Sequence, residues 1–250
     1  MDEEITAIAR AIADAESTVA FTGAGVSTAS GIPDFRSEGG IWDQYDPSEF
    51  HYSNFRADPA SFWEKRIDLY EEVFGDDIEP NGAHDALAAL EEAGQLETVI
   101  TQNVDGLHET AGSSVIEIHG NGQRVACEGC GQTEPLELAR EQIDDRQLPP
   151  ECPACGGVLK PDTVLFGEQL PKVTLQRAKE QAREADVLLA IGSSLTVEPA
   201  ASLPRIATRT GSTLGIVNLE ETPVSDNAEF DIRGDVTEVL PAVRDAIETA

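Results

Sequence analysis

The chain has 250 residues, of which 40% are hydrophobic, so it can form one large domain with a sizeable core and a smaller second domain. Acidic residues number 47 against 17 basic ones, and the formal net charge of −30 disfavours non-specific attraction to nucleic acid. No segment approaches the ~18 consecutive apolar residues of a membrane span. The acidic start is unlike the basic start of a secretion signal, and we therefore expect a cytoplasmic protein.

The acidic excess is spread along the whole chain, and arginine is used more often than lysine. Such a chain repels itself, and the repulsion is screened in concentrated salt, where the Debye length falls to about 3 Å at 1 M. We expect a halophilic protein that is adapted to multimolar salt. The alternative is an acidic enzyme from ordinary salt, whose charges only cover the surface.

Short apolar runs alternate with helical patterns along the chain. The runs predict strands at residues 18–21, 98–101, 115–118, 187–191 and 214–217. Apolar residues spaced by three and four predict helices at residues 3–15, 85–93, 175–185 and 236–249. Nearly continuous apolar strands that alternate with helices are typical of a parallel sheet covered on both faces. The predicted fold class is α/β, with a Rossmann-like large domain.

Two stretches interrupt this alternation. Residues 37–81 are rich in aromatic side chains and helical in part, and residues 121–159 hold all four cysteines and several prolines. We expect these two insertions to form the small domain together. The large domain then comprises residues 1–36, 82–120 and 160–250, and the crevice between the two domains is the expected binding site.

The segment that follows the first predicted strand starts with Gly-x-Gly, at Gly23 and Gly25. Glycine lacks the Cβ that would keep backbone N–H groups away from a pyrophosphate, so a phosphate-binding turn is predicted. A dinucleotide fingerprint would have a third glycine where this chain has Thr28, and the ordinary dehydrogenase pattern therefore fails. Pro33 breaks any long helix, and the loop is expected to carry three side chains over the bound nucleotide: Asp34, Phe35 and Arg36.

The four cysteines form two Cys-x-x-Cys pairs. Four thiolates satisfy tetrahedral zinc and leave no open coordination position, so we expect one structural zinc ion. Two disulfides or a redox dithiol are the weaker alternatives in a reducing cytoplasm. The expected ligands are Cys127, Cys130, Cys152 and Cys155.

Polar segments follow several predicted strands, at the sheet edge where α/β proteins bind ligands. His119 follows the strand at 115–118, and an imidazole can take a proton near neutral pH. Taken alone, His119 is more often a strand-end histidine bonded to the backbone, and residues 101–105 alone favour an Asn/Asp turn.

In their order along the chain, these motifs resemble the sirtuin family of NAD-dependent protein deacylases. The resemblance extends from about residue 18 to residue 240 and includes residues 23–36, 101–108, 116–120, the two cysteine pairs, 160–168 and 192–199. It implies that NAD is a consumed co-substrate, that the zinc is structural, and that acetylated proteins or peptides are the partners.

The resemblance also implies residue roles. His119 stands where the family has its catalytic base, and Asn103 is the second catalytic residue. Residues 164–168 match the family's substrate-binding strand, where a peptide adds its backbone edge. The implied substrate-binding residues are His119, Val164, Leu165, Phe166, Gly167 and Glu168. The implied NAD-binding residues are Gly23, Ala24, Gly25, Ser27, Asp34, Phe35, Arg36, Gln102, Asn103, Val104, Asp105, Gly192, Ser193, Ser194, Asn218, Leu219, Gly234 and Asp235.

The implied activity is lysine deacetylation, which converts NAD and acetyl-lysine protein to nicotinamide, 2′-O-acetyl-ADP-ribose and free lysine. Phe35 would shield the reacting sugar from water. Family members that prefer acidic acyl groups carry Tyr-x-x-Arg in the helical insertion, and residues 37–81 lack that pair, so such groups are expected to be disfavoured. The alternatives are mono-ADP-ribosyl transfer, a non-catalytic NAD-sensing module and, weakened by Thr28, an NAD oxidoreductase.

Overall fold

The computed structural model describes residues 1–35, 40–73 and 78–249. Within these residues there are ten α-helices and nine strands. The helices are α1 (Asp2–Asp14), α2 (Ile41–Gln44), α3 (Tyr52–Ala57), α4 (Pro59–Val73), α5 (Gly82–Glu92), α6 (Leu107–Ala111), α7 (Leu136–Asp144), α8 (Lys172–Glu184), α9 (Leu203–Thr210) and α10 (Val236–Glu248). The strands are β1 (Thr18–Thr22), β2 (Thr98–Thr101), β3 (Val115–Glu117), β4 (Gly120–Cys127), β5 (Thr133–Pro135), β6 (Leu159–Thr163), β7 (Val187–Ile191), β8 (Thr213–Asn218) and β9 (Phe230–Arg233).

Six strands form one parallel sheet in the order β3-β2-β1-β7-β8-β9. The chain builds one half of this sheet outward from β1 and then returns to add the other half beside it. The strand order therefore reverses between β1 and β7, where Ala20 lies opposite Leu189. In open α/β sheets, ligands bind at such a switch point, outside the carboxyl ends of the strands.

Both faces of this sheet are covered, which explains why its central strands are apolar throughout. All five residues of β1 and all five of β7 are buried. One face packs against α1, α5 and α10, and the other packs against α8 and α9. The predicted α/β, Rossmann-like fold class is confirmed.

A second, antiparallel sheet has the order β5-β4-β6 and lies in the cysteine-containing part of the chain. Its apolar side chains share a third hydrophobic cluster with the aromatic residues of α3 and α4. The fully buried Trp63 of α4 donates from Nε1 to the carbonyl oxygen of Leu159 in β6, at 2.8 Å. The two insertions are therefore packed against each other.

The five predicted strands are all present, and their ends differ from the prediction by at most one residue. The four predicted helices are present too, and α8 and α5 each begin three residues earlier than expected. Strands β4, β5, β6 and β9 were not predicted. The domain boundaries stay a prediction, and β6 crosses the expected limit between residues 159 and 160. Within the residues that the structure describes, no helix is long and apolar enough to cross a membrane.

Candidate functional site

Within the described residues, the expected NAD-binding residues and His119 follow the parallel strands at their carboxyl ends, whereas residues 164–168 follow β6 of the second sheet. The loops after β1, β2 and β7 meet at the point where the strand order reverses, and His119 follows β3 beside them. The residues expected at the adenosine end follow β8 and β9. The topology thus brings together segments that lie up to about two hundred residues apart in the sequence.

Gly23 and Gly25 are required by a close approach between two loops. A Cβ on Gly23 would lie 2.8 Å from Ser193 Cβ, and one on Gly25 would lie 2.9 Å from the carbonyl oxygen of Gly192. The N–H of Gly23 donates to the carbonyl of Ile191, and the N–H of Gly25 donates to that of Gly192. These two N–H groups are engaged within the protein, which differs from the expected reason for the glycines. Phosphate binding by this turn stays a prediction.

A buried polar network joins the loop after β1 to the loop after β2. Ser27 Oγ donates to Asp105 Oδ2 at 2.7 Å, and Asn103 Nδ2 donates to Ser27 Oγ at 3.0 Å and to the carbonyl of Gly23 at 3.2 Å. Asp105 Oδ1 also accepts from the N–H of Leu107 at 2.9 Å. Because all three polar side chains are buried and satisfied, their positions are fixed before any ligand binds.

Gln102 joins the loops after β1, β7 and β3. Its Nε2 donates to Ser193 Oγ at 2.8 Å and to the carbonyl of Thr22 at 3.2 Å. Its own carbonyl oxygen lies 2.9 Å from Nδ1 of His119. Gln102 therefore positions both a hydroxyl of the β7 loop and the imidazole.

The carbonyl of Gln102 fixes the tautomer of His119. A carbonyl oxygen can only accept, so Nδ1 carries the proton and Nε2 keeps a free lone pair. Burial lowers the pKa of His119, and the hydrogen bond to Gln102 opposes that shift in part. The ring is therefore neutral at neutral pH, and Nε2 can accept a proton.

An aromatic group lies between the loop after β1 and the segment after β6. The ring centroids of Phe35 and Trp42 are 5.4 Å apart, and those of Trp42 and Phe166 are 5.5 Å apart. Phe35 is 36% exposed and Phe166 is 42% exposed, so both keep open ring surface. Trp42 links the two rings, and the sequence analysis did not single it out. Arg36 lies outside the described residues.

The expected substrate-binding strand is not a strand. Strand β6 ends at Thr163, and the segment 164–168 forms a turn in which Glu168 donates its N–H to the carbonyl of Leu165. Gly167 has φ +77°, and a Cβ there would lie 2.2 Å from the ring of His51. Phe166 still forms a parallel bridge with His51, and the left-handed Gly167 bends the chain directly after it. Whether residues 164–168 bind substrate stays a prediction.

A buried cation holds this turn together. Lys160 Nζ donates to the carbonyls of Pro161 and Thr163 at 2.9 and 2.8 Å, and to Glu168 Oε2 at 3.2 Å. The same carboxylate oxygen accepts from the N–H of Leu165 at 3.0 Å. The N–H of the preceding residue, Val164, donates to the carbonyl of His119 at 2.8 Å. The turn is thus tied directly to the residue that carries the candidate base.

The other expected contacts lie at the same sheet edge but have local partners. Asn218 Nδ2 donates to the carbonyl of Glu220, and Ser194 Oγ lies 3.0 Å from Thr196 Oγ1. Asp235 caps α10 by accepting from the hydroxyl of Thr237 at 2.7 Å and from its N–H at 2.8 Å, and these two bonds lower its pKa. The remaining members of this group are an exposed Leu219 and Gly234, whose N–H donates to the carbonyl of Asn218.

Two further histidines form a buried pair behind the loop after β2. The rings of His84 and His108 are 4.7 Å apart, and His108 Nε2 lies 3.0 Å from Thr22 Oγ1. His84 Nδ1 accepts from the N–H of Asn81 at the start of α5. Burial lowers the pKa of His108 to about 3 and also lowers that of His84, so both rings are neutral and structural.

The four cysteines fit a structural zinc site. Their sulfur atoms all lie within 4.8 Å of one another. The distance is 3.5 Å between Cys127 Sγ and Cys155 Sγ, and 3.8 Å between Cys130 Sγ and Cys152 Sγ. A tetrahedral ion with Zn–S bonds of about 2.3 Å requires sulfur separations of about 3.8 Å. The donor set and the spacing therefore match zinc.

Three residues of the site were missed from the sequence. Lys160 was placed within a motif without a role, Trp42 was one aromatic among many, and Thr22 lay just beyond the strand predicted at 18–21. Lys160 is nearly inaccessible, but its strand reads Leu-Lys-Pro-Asp-Thr, and this mixed pattern gave no signal that the lysine would be buried.

Known proteins are similar to this chain in sequence and in fold. The model of the Sir2 family matches residues 23–199. An NAD-dependent protein deacetylase of Haloarcula marismortui is 53% identical over 244 residues, which cover 96% of this chain and 94% of the relative. An NAD-dependent protein deacylase 2 of Archaeoglobus fulgidus is 41% identical and covers 99% and 98% of the two chains.

A solved structure described as Sir2–p53 peptide–NAD+ has a TM-score of 0.85 and 38% identity, and it covers 98% of each chain. Both the family model and these relatives span well over half of the chain. The chain belongs to the Sir2 family, the sirtuins.

Proposed function

We propose that this protein is an NAD-dependent protein lysine deacetylase that consumes NAD, acetyl-lysine protein and water, and releases nicotinamide, 2′-O-acetyl-ADP-ribose and free lysine. One observation carries the proposal: Nδ1 of His119 is held by the carbonyl of Gln102, so that Nε2 is aimed as a base from the sheet edge. Sirtuin relatives named deacetylases support the same activity.

NAD supplies an activated ribose bond whose cleavage releases nicotinamide. Asn103 and Asp105 bind and orient the nicotinamide ribose and carboxamide in this proposal, because Ser27 already holds both side chains in place. Gly192 and Ser193 face the phosphates. Positioning of this kind lowers the entropy that has to be lost when two substrates react.

His119 takes a proton at Nε2 from the ribose hydroxyls, so that a sugar oxygen can receive the acetyl group. Burial keeps the imidazole neutral and ready to accept the proton at neutral pH. Phe35 and Trp42 cover the reacting region with apolar surface and exclude water. The acyl-lysine enters beside Phe166, and the turn at 164–168 bonds the peptide backbone.

The four cysteines hold zinc away from the chemistry. Zinc with four thiolate ligands has no open position for substrate, so its role is to stabilise the second sheet. We place the protein in the cytoplasm, where reducing conditions keep these thiols available. Acetylated proteins or peptides are its proposed partners, and nucleic acid and membranes are not.

The test is a product balance. Purified protein is incubated in molar KCl with NAD and an acetyl-lysine peptide, and nicotinamide, free-lysine peptide and acetylated ADP-ribose are quantified by mass spectrometry. We expect the three products in equal amounts. ADP-ribose attached to protein, with the acetyl group intact, would replace the proposal with ADP-ribosyl transfer, and free acetate without nicotinamide would contradict any NAD-dependent reaction.

A further inference from the structure

Strand β4 carries a large bulge directly after His119. Gly120 pairs with Thr163 of β6, and the next paired position is Val125 with Pro161. Five residue steps on β4 therefore correspond to two steps on β6, which leaves three extra residues on β4. A bulge interrupts the backbone ladder, and bulges are frequent beside active sites, where they aim a side chain. The start of β4, next to the candidate base, is thus only partly fixed by backbone pairing with β6.

The side chain of Arg124 spans this bulge. Its Nη2 donates to Glu117 Oε2 at 2.5 Å, and its Nε donates to Asp162 Oδ2 at 3.0 Å. Glu117 is the last residue of β3 in the parallel sheet, and Asp162 lies in β6 of the second sheet. Within the residues that the structure describes, neither carboxylate has another cation as an ion-pair partner. One guanidinium on β4 therefore ties the two sheets together.

These two ion pairs flank the hydrogen bond that holds the backbone of His119. The carbonyl of His119 accepts from the N–H of Val164 at 2.8 Å. Glu117 lies two residues before His119, and Asp162 lies two residues before Val164. Arg124 thus closes a ring of contacts that contains the backbone of the candidate base.

The charge of Arg124 also balances a group of carboxylates. Asn121 Nδ2 donates to both Glu117 and Glu109. Burial and the adjacent Glu117 raise the pKa of Glu109, and Arg124 opposes that rise. Partial burial acts to lower the pKa of Arg124, but the hydrogen bonds to Glu117 and Asp162 outweigh it and raise the pKa, so the guanidinium stays charged. Loss of this cation would leave neighbouring carboxylates to repel one another at the base of the catalytic strand pair.

We propose that Arg124 is a positioning residue for deacetylation, which holds the backbone of His119 where its Nδ1 reaches the carbonyl of Gln102, 2.9 Å away. The inference rests on the proposed function and adds to it a residue that acts through His119. A guanidinium suits this role because its N–H groups have fixed directions and can donate to two carboxylates, whereas an ammonium is a point charge. A misplacement of about 1 Å at a reacting group costs up to about a hundredfold in rate.

The first test measures the tautomer of His119 in the free protein. Long-range ¹H–¹⁵N NMR spectra in KCl distinguish an imidazole that is protonated at Nδ1 from one that is protonated at Nε2. The chain has four histidines, and the spectrum of His119→Ala identifies the signals of His119 by their loss. We expect the Nδ1–H pattern in the wild type and a mixture of both tautomers in Arg124→Met. An unmixed Nδ1–H pattern in Arg124→Met would overturn the inference.

The matched control is Arg244→Met. It removes a guanidinium of α10 that is likewise paired, with Asp245 at 2.6 Å, and it should keep the wild-type tautomer and the wild-type kinetics. A tautomer mixture in this control would show that loss of any paired arginine disturbs the ring, and would also overturn the inference.

The second test separates kcat from KM, with NAD and an acetyl-lysine peptide. We expect Arg124→Met to lower kcat about ten- to a hundredfold, with KM for NAD and for the peptide nearly unchanged. Arg124→Lys should recover part of the loss, because it keeps the charge without the fork. Unchanged kcat with higher KM values would show that Arg124 supports substrate binding and would overturn the inference.

Glu117→Gln breaks the same bridge from its other side. It should also lower kcat with little change in KM, which keeps the test decisive if Arg124→Met does not fold. Because both substitutions remove one interaction, the double variant should lose less than the product of the two single losses. Fully independent losses would overturn the inference. Absence of deacetylation by the NAD-bound wild type would contradict the proposed function itself, and the tautomer measurement would still show whether Arg124 positions the ring.

Discussion

Nδ1 of His119 donates to the carbonyl oxygen of Gln102 at 2.9 Å. One bond therefore joins the candidate base to the loop that also holds Asn103 and Asp105. This bond connects the residue before β4 to the loop after β2, and the base keeps the tautomer that leaves Nε2 free.

The pH dependence of deacetylation follows from this bond. Burial lowers the pKa of His119, and a general base works only when it is neutral. The rate should fall on the acid side, with a midpoint below the ordinary histidine value of about 6.5, and should be level through neutral pH. The check is kcat/KM against pH under saturating NAD. A midpoint above that ordinary value would contradict the desolvated environment.

Replacing Lys160 should raise KM for the acetyl peptide more than KM for NAD. Lys160→Met removes three hydrogen bonds that hold the turn at 164–168, and it leaves Glu168 without its cation. We expect KM for the acetyl peptide to rise by about tenfold, since lost bonds to a charged group are worth about 1.5–3 kcal/mol. KM for NAD should stay nearly constant.

Lys172→Met, at an exposed position at the start of α8, is the matched control and should leave both KM values unchanged. If Lys160→Met raised both values equally, the lysine would have a general structural role and no special link to the peptide.

Zinc removal should unfold the second sheet first. Cys127 and Cys152 share a hydrophobic cluster with Trp63, whose indole N–H is bonded to Leu159. In a Trp42→Phe background, Trp63 is the single tryptophan of the chain, so its fluorescence reports on this cluster. A strong chelator, or Cys130→Ser, should shift the emission to longer wavelength, and added zinc should restore the chelated protein. Unchanged emission after complete loss of zinc would refute a stabilising role.

Salt should stabilise the fold. A net charge of −30 on 250 residues repels itself, and molar KCl shortens the Debye length to about 3 Å. We expect the melting temperature to rise by many degrees between 0.1 and 3 M KCl, with sucrose at matched viscosity as the control. Equal or greater stability at low salt would contradict a halophilic protein.

The sequence predicted the elements whose pattern is local. Strands β1 and β7 are buried on both faces, so each appears in the sequence as a continuous apolar run. Strand β9 lies at the edge of the sheet, and of its residues only Ile232 is buried, so no such run exists. Strands β4 and β6 of the second sheet also lack a continuous apolar run, because they carry glycine, proline and polar residues.

In the candidate site, too, the sequence predicted what depends on local pattern and missed what depends on packing between distant segments. The motifs indicated which side chains gather at the sheet edge, because each follows a strand end. They could not predict that Ser27 donates to Asp105, which lies 78 positions further along the chain, or that Trp42 lies between Phe35 and Phe166. Such pairings depend on how separate loops pack. The turn at 164–168 was missed because its stabilising contacts come from Lys160 and from the neighbouring His51.

The measurement that tests the account most directly is deacetylation by the wild type and by His119→Ala in molar KCl, with NAD binding measured for both. The account predicts that the wild type releases free-lysine peptide and nicotinamide in equal amounts. It predicts that the variant binds NAD and yields no free-lysine peptide. Deacetylation by the variant at the wild-type rate would contradict the role of His119, and an untouched peptide with NAD-bound wild type would contradict the deacetylase itself.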